Sequence, residues 1–217
     1  MPQPTGLIFW DWNGTLLDDV SYSIDCLNAL LEEYGYPQRY TPDAYREIFG
    51  FPIEEYYRRA GFDFARHPYP RLAESYMRRY TAGVARCTTT PHAAQTLAAL
   101  QRQGWQQVVL SVSRRDHLIE QVTGLGLKGY FSELLGLSDI YGVSKVQLGR
   151  DWLQSRPRRP ARCVMVGDTT HDAETAAALG ARCILYAGGH QPRARLEAAC
   201  PTVIDRLDAL PGLLAQP

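Results

Sequence analysis

The chain has 217 residues with 23 Lys plus Arg against 23 Asp plus Glu, so no net field draws it to nucleic acid, an anionic membrane surface or an acidic partner. At 45% hydrophobic content it can bury a sizeable core, and no stretch approaches the ~18 apolar residues of a membrane span. The five cysteines are scattered, odd in number and without metal-ligand spacing, which reads as reduced thiols in a soluble, cytoplasmic protein.

The first apolar run, "LIFWD" (Leu7–Asp11), is a buried strand that ends on a carboxylate and meets an Asn-Gly turn at Asn13–Gly14. From 18 to about 85 the pattern becomes helical, with periodic segments at Ser21–Tyr34, Pro42–Phe49, Ile53–Ala60 and Pro70–Val84 and ten of the thirteen tyrosines. After that, strands and helices alternate. "QVVLS" (Gln107–Ser111), "ELLG" near Glu133, "CVMVGD" (Cys163–Asp168) and "CILYAGG" read as strands. Pro91–Gln103, Arg115–Leu125, Lys145–Gln154 and Asp172–Leu179 read as helices, the last closed by Gly180. "SRPRRPAR" (Ser155–Arg162) reads as a solvated basic connection. The expected fold is α/β: a Rossmann-like parallel sheet with helices on both faces (1–17 and 86–217) and a small all-α domain inserted at 18–85.

In such a sheet, ligands bind beyond the carboxyl ends of the strands. The polar residues ending apolar strands here are Asp11, Ser111 and Asp168, joined by Lys145 at a helix start and Asp172 one turn past Asp168. Three carboxylates, a hydroxyl and an ammonium suit a hard divalent cation holding a phosphate. Each residue alone has a plainer reading as a turn, cap or surface group. Their order makes the set specific: D-x-N-G-T, then a strand-end Ser, then S-K, then G-D-x-x-x-D.

With that order the chain resembles the haloacid dehalogenase-like hydrolase superfamily over nearly its whole length. Asp11–Thr15 resembles the first motif, Ser111 the second, Lys145 the third and Gly167–Asp172 the fourth. The helical insertion resembles the mobile cap of phosphoglycolate phosphatase-like members. The resemblance implies an Mg2+-dependent phosphatase in which Asp11 attacks phosphorus to form an aspartyl-phosphate that water hydrolyses. It places the metal on Asp11, the backbone carbonyl of Asn13, Asp168 and Asp172. It gives Ser111, with Val112, Ser113, Gly14 and Thr15, contacts to the phosphoryl group, and Lys145 the balancing of charge. The segment "FGFPIEEYYRRAGF" resembles the cap's substrate-facing loop, with Arg46, Arg58 or Arg59 placed to meet a second anionic group on a small phosphorylated metabolite.

One residue departs from the pattern. Phosphatases of this superfamily usually carry a second Asp, the general acid and base, where this chain has Asn13. General acid–base assistance contributes about 10²–10⁴ in rate, so slow turnover of alkyl esters and a preference for acyl or aryl phosphates are expected. A proton shuttle at His171 and deamidation of Asn13–Gly14 to Asp are the other accounts. The alternative function is a weakly active or non-catalytic phosphometabolite-binding regulatory protein of the same fold.

Overall fold

The computed structural model describes residues 4–137, 144–157 and 160–215. β1 (Gly6–Trp10) is fully buried and lies at the centre of a six-stranded sheet with β4 (Trp105–Arg114), β5 (Glu133–Leu137), β6 (Cys163–Gly167), β7 (Arg182–Tyr186) and β8 (Val203–Ile204). The order is β5-β4-β1-β6-β7-β8, and every pairing is parallel. A central strand buried on both faces needs apolar side chains in both directions, which is why Leu7–Trp10 reads as a continuous run rather than an alternation.

The two faces bury different sets of strand residues. Ile8, Trp10, Val109, Val164 and Val166 pack with α5 (Ala93–Arg102), α6 (Arg115–Gly124) and α10 (Leu210–Ala215) through Leu97, Leu100, Leu118, Val122, Leu210 and Leu214. Leu7, Phe9, Val108, Leu110 and Met165 pack with α7 (Lys145–Gln154) and α8 (Thr170–Leu179) through Leu148, Trp152, Ala176 and Leu179. The one polar side chain in the middle of β4 that could disrupt this, Gln107, is satisfied: its amide donates to Leu97 O at 3.0 Å and its carbonyl accepts from Trp10 Nε1 at 3.1 Å.

Between β1 and β4 the chain forms β2 (Leu17–Asp18), then α1 (Val20–Glu33), α2 (Pro42–Ile48), α3 (Ile53–Arg59) and α4 (Tyr69–Gly83), and returns through β3 (Thr88–Thr89). β2 and β3 pair antiparallel, so the outgoing and returning strands leave the core side by side. The four helices bury their own cluster, in which Leu27, Leu30, Leu31 and Leu72 surround Tyr45, Tyr56 and Tyr57. Most of the tyrosines are thus accounted for by aromatic packing, as in the edge-on pairs Tyr45–Tyr56 and Tyr56–Tyr57. Cys26, Tyr80 and Val84 join the cluster beneath the main sheet, tying the insertion to the core.

The expected strands and helices are found, with end shifts of a few residues. "ELLG" is a true strand and forms the sheet edge. Two-residue β8 and the short helices α9 (Arg193–Ala199) and α10 were not expected, because too few residues repeat in them to show a period. Asp18, assigned to the helical insertion, ends a strand instead. The basic connection after Ser155 lies partly outside the described residues.

Leu97 is fully buried between α5 and the sheet. Leu97→Ala is expected to cost about 2–5 kcal/mol, read as a lower urea midpoint with an unchanged slope.

Candidate active site

β1, β4 and β6 run parallel with Trp10 level with Val109 and Val166, so Asp11, Ser111 and Asp168 emerge together from one end of the sheet. The ladder between β4 and β5 breaks between Leu110 and Arg114, and Ser111 sits at this irregularity with its Oγ accepting from Ser113 N at 3.0 Å. Asp172 enters from the first turn of α8. Its Oδ2 accepts from Asp168 N, Thr169 N and Thr169 Oγ1 at 3.2, 3.0 and 2.8 Å, which folds the fourth motif into a tight turn. Asp172 thus closes this turn through Oδ2 and leaves Oδ1 to face Lys145.

Lys145, first residue of α7 and only 2% exposed, places Nζ 2.5 Å from Asp11 Oδ1 and 2.5 Å from Asp172 Oδ1. Thr15 completes the cluster, its Oγ1 lying 3.0 Å from Asp168 Oδ1 and 3.3 Å from Asp11 Oδ2. Backbone amides are drawn in as well, with His190 N donating to Asp168 Oδ2 at 2.6 Å. Close approach explains Gly189: a Cβ there would lie 2.1 Å from Asp168 Oδ2.

The electrostatics are unbalanced. Burial pushes Asp11 up to about 8 even against the neighbouring Lys145 ammonium, and Asp172 and Asp168 add to the rise. Burial likewise raises Asp168 to about 6 despite His190. For Asp172 the burial penalty is outweighed by Lys145, which holds it below the usual carboxylate range. Burial also works against the Lys145 ammonium, but Asp11 and Asp172 overcome it and raise its pKa. Carboxylate oxygens of Asp11, Asp168 and Asp172 lie within 4.8 Å of one another. Three acids facing one ammonium, all buried, are the donor set a hard divalent cation completes, so the residues present fit Mg2+.

Asn13 is held from three sides. Its Nδ2 donates to Asp19 Oδ2 at 2.9 Å and to the Tyr80 hydroxyl at 2.7 Å, and its Oδ1 accepts from Ser113 Oγ at 2.7 Å. Tyr80 belongs to α4 and Ser113 to β4, so this amide joins the helical insertion to the sheet. Asp19 also accepts from Gly14 N at 2.8 Å, and its Oδ1 lies 3.3 Å from His190 Nε2. His190 Nδ1 pairs in turn with the Tyr45 hydroxyl at 2.8 Å. Burial opposes charge on both members of the Asp19–His190 pair. Their mutual attraction prevails, lowering Asp19 and raising His190.

Asp19, His190, Tyr45 and Tyr80 are site neighbours that the sequence reading did not single out. The signal that was available is the second carboxylate in "LLDD", next to the first motif. The geometry also bears on the other accounts of Asn13. Gly14 N, which would attack the amide in deamidation, is already donating to Asp19 Oδ1 and to Leu17 O at 3.0 Å. His171 stacks on Phe51 with centroids 4.4 Å apart.

The expected leaving-group arginines are placed differently from one another. Arg46 reaches across to the core, with Nε 3.0 Å from Gly189 O. Arg58 pairs with Glu54 and Glu55 on its own helix at 2.6 and 3.2 Å and is not brought to the carboxylates. Arg59 Nε donates to Ile48 O at 2.8 Å. Val112 is half-buried on β4 beside Ser111.

Residues 8–186 match the family model described as haloacid dehalogenase-like hydrolase. The chain belongs to that family. It is 27% identical over 218 residues to a phosphoglycolate phosphatase of Synechococcus elongatus, covering 96% of this chain and 99% of that protein. Among solved structures it superposes on a predicted phosphatase from Clostridium acetobutylicum with a TM-score of 0.83 at 18% identity, each chain covered in full. Protein Tyrosine Kinase A of Mycobacterium tuberculosis superposes at 0.81 with 26% identity, covering 99% of both chains. The class expected from the motifs, a phosphoric monoester hydrolase of the haloacid dehalogenase-like family, is the class of the phosphatases it matches.

Two predictions follow from this geometry. Mg2+ at 100 times its dissociation constant is expected to stabilise the wild type by about 2.7 kcal/mol in a thermal-shift series, and Asp168→Asn is expected to abolish that gain. Asn13→Asp sets a carboxylate against Asp19 and removes two amide hydrogen bonds at a partly buried position, and is expected to cost about 1–3 kcal/mol. The exchange Asn13→Asp with Asp19→Asn restores one carboxylate to the pair and is expected to recover most of that loss in urea titrations.

Proposed function

We propose that the protein is a magnesium-dependent phosphatase acting on a small phosphorylated metabolite through an aspartyl-phosphate on Asp11, with residues 1–17 and 86–217 as the catalytic core and 18–85 as a cap. The observation that carries this reading is the buried convergence of Asp11, Asp168, Asp172 and Lys145 at the sheet's carboxyl end. A binding protein would have no use for a carboxylate of raised pKa held against an ammonium, and this disfavours the regulatory alternative.

Asp11, the Asn13 carbonyl, Asp168 and Asp172 would hold the metal or its waters. Bound there, Mg2+ supplies charge for the phosphate oxygens and keeps Asp11 ionised. Asp11 then attacks phosphorus, its Oδ forming the new bond as the bond to the leaving oxygen breaks. Lys145 and Ser111 stabilise the charge that spreads over the transferring group. Water hydrolyses the acyl phosphate and regenerates the carboxylate.

The Asn13 side chain takes no part in proton transfer, because an amide does not titrate and both its ends are already engaged by Asp19, Tyr80 and Ser113. Its role in this reading is to fix the cap helix α4 against β4. The reaction then favours leaving groups that depart without a proton.

The test is phosphate release over a panel of acyl, aryl and alkyl phosphates, including the phosphoglycolate named for the cyanobacterial relative, with Mg2+ or EDTA and with Asp11→Asn as the blank. Mg2+-dependent turnover absent from the blank is expected; a blank equal to wild type on every compound overturns the reading. In the stabilised double exchange at 13 and 19, turnover of alkyl phosphates is expected to gain more, within the 10²–10⁴ span of acid–base assistance, than that of aryl phosphates. Equal gains would refute the altered proton handling.

A further inference from the structure

The loop between α2 and α3, Phe49–Pro52, is pressed onto the core beside the carboxylates. Phe49 O accepts from Arg195 Nη1 at 2.9 Å and from Gln191 Nε2 at 3.3 Å, while Gln191 Oε1 accepts from Thr170 N at the start of α8. The loop meets the core through rings. Phe49 stacks on His190 with centroids 4.6 Å apart and planes at 27°, and Phe51 stacks on His171 at 4.4 Å and 28°. The two stacks differ in access, since His190 is only 4% exposed whereas Phe51 and His171 are both half-buried. Phe51–His171 is therefore the outer stack, and His171 immediately precedes Asp172, the partner of Lys145.

The cations around this loop are already engaged. Arg46 is held by Gly189 O and lies 3.7 Å from Asp43; Arg59 donates to Ile48 O; Arg58 pairs with Glu54 and Glu55; Arg195 donates to Phe49 O and lies 3.5 Å from Glu47. What this rim offers an incoming group is the Phe51 and His171 rings themselves, now in contact with their planes at 28°.

A second, independent constraint comes from inside the site. The locked Asn13 amide gives the leaving oxygen no proton, which penalises an alkoxide, whose parent alcohol is about as weak an acid as water at 15.7. It penalises a phenolate far less, because a phenol such as that of tyrosine ionises near about 10.

We propose that the substrate's leaving group is an aromatic ring seated between Phe51 and His171, so that aryl phosphates are the substrate class; this rests on the phosphatase reading of Asp11. Lifting the loop separates the stacked pair, and the ring of the substrate takes up both faces in its place. Asp11 forms its bond to phosphorus while the bond from phosphorus to the aryl oxygen breaks. The electron pair leaves on that oxygen, the phenolate departs and takes a proton from water, and a second water cleaves the acyl phosphate to inorganic phosphate and free Asp11.

The experiment compares kcat/KM for phenyl phosphate, O-phospho-L-tyrosine, acetyl phosphate and 2-phosphoglycolate in wild type, Phe51→Ala and Phe51→Trp. Wild type is expected to favour phenyl phosphate over 2-phosphoglycolate. In Phe51→Ala the ratio of phenyl to acetyl phosphate is expected to fall about tenfold, chiefly through KM, the scale of one lost aromatic contact. Phe51→Trp, which restores a flat face, is expected to keep the ratio and serves as the reference if the alanine variant folds poorly. A ratio unmoved in Phe51→Ala, a ratio lost in Phe51→Trp, or preference for 2-phosphoglycolate overturns the aromatic slot. Turnover of acetyl phosphate that still depends on Asp11 would then leave the phosphatase reading standing, whereas Asp11→Asn equal to wild type on all four compounds would bring down both.

Discussion

The ion pairs of Lys145 with Asp11 and Asp172 are the constraint around which the carboxyl end of the sheet is organised. Removing a carboxylate from water costs several kcal/mol unless an opposite charge and hydrogen bonds replace the solvent. Here three carboxylates are buried within a few ångströms, and among the described residues the only ammonium between them belongs to the first residue of α7. The rest of the arrangement shares out what that one cation leaves uncovered: Thr15 bridges Asp11 and Asp168, the fourth-motif turn folds onto Asp172, and the His190 amide meets Asp168. Even so, Asp11 and Asp168 retain raised pKa values. Charge in this cluster is left incomplete by the described residues, and that incompleteness is what the proposed metal and phosphate would fill.

A second charge system lies beside the first and is organised in the opposite sense. Asp19 and His190 neutralise each other, and Asn13, Tyr80, Gly14 and Tyr45 satisfy what remains of their hydrogen-bonding capacity. The carboxylate missing from position 13 thus has a counterpart six residues along the chain, where it braces the site. Asn13 contributes geometry to this system, since one small amide spans the strand, the outgoing connection and α4.

Much of the architecture was legible because burial leaves a mark on the sequence. Strands covered on both faces must be continuously apolar, and Leu7–Trp10 and Val164–Val166 carry that signature; Gly180, with φ of 61°, closes α8 as a helix-ending glycine should. Asp11, Asp168, Asp172 and Lys145 could be chosen together because each follows or starts a recognisable element. His190 could not, since it stands in a loop 171 positions from Asp19 and no local pattern connects them. Nor could the sequence distinguish Arg46, which crosses to the core, from Arg58, which pairs within α3; both sit on helices of similar character, and only packing decides which way each points.

The short antiparallel pairing of β2 with β3 has a consequence for how the chain is assembled. Leu17 lies opposite Thr89 and Asp18 opposite Thr88, so some seventy residues depart and return through two adjacent positions of the backbone. Loop-closure entropy grows only slowly with length, by about 0.6 kcal/mol per doubling, and a closed neck confines even that cost to one place. The neck thereby holds the two strand ends together whatever the length of the insertion, which meets the core again through Tyr45, Phe49 and Tyr80. Such a junction lets the insertion lengthen, shorten or change its lining rings over evolutionary time while the strand ends, and the chemistry fixed to them, keep their register.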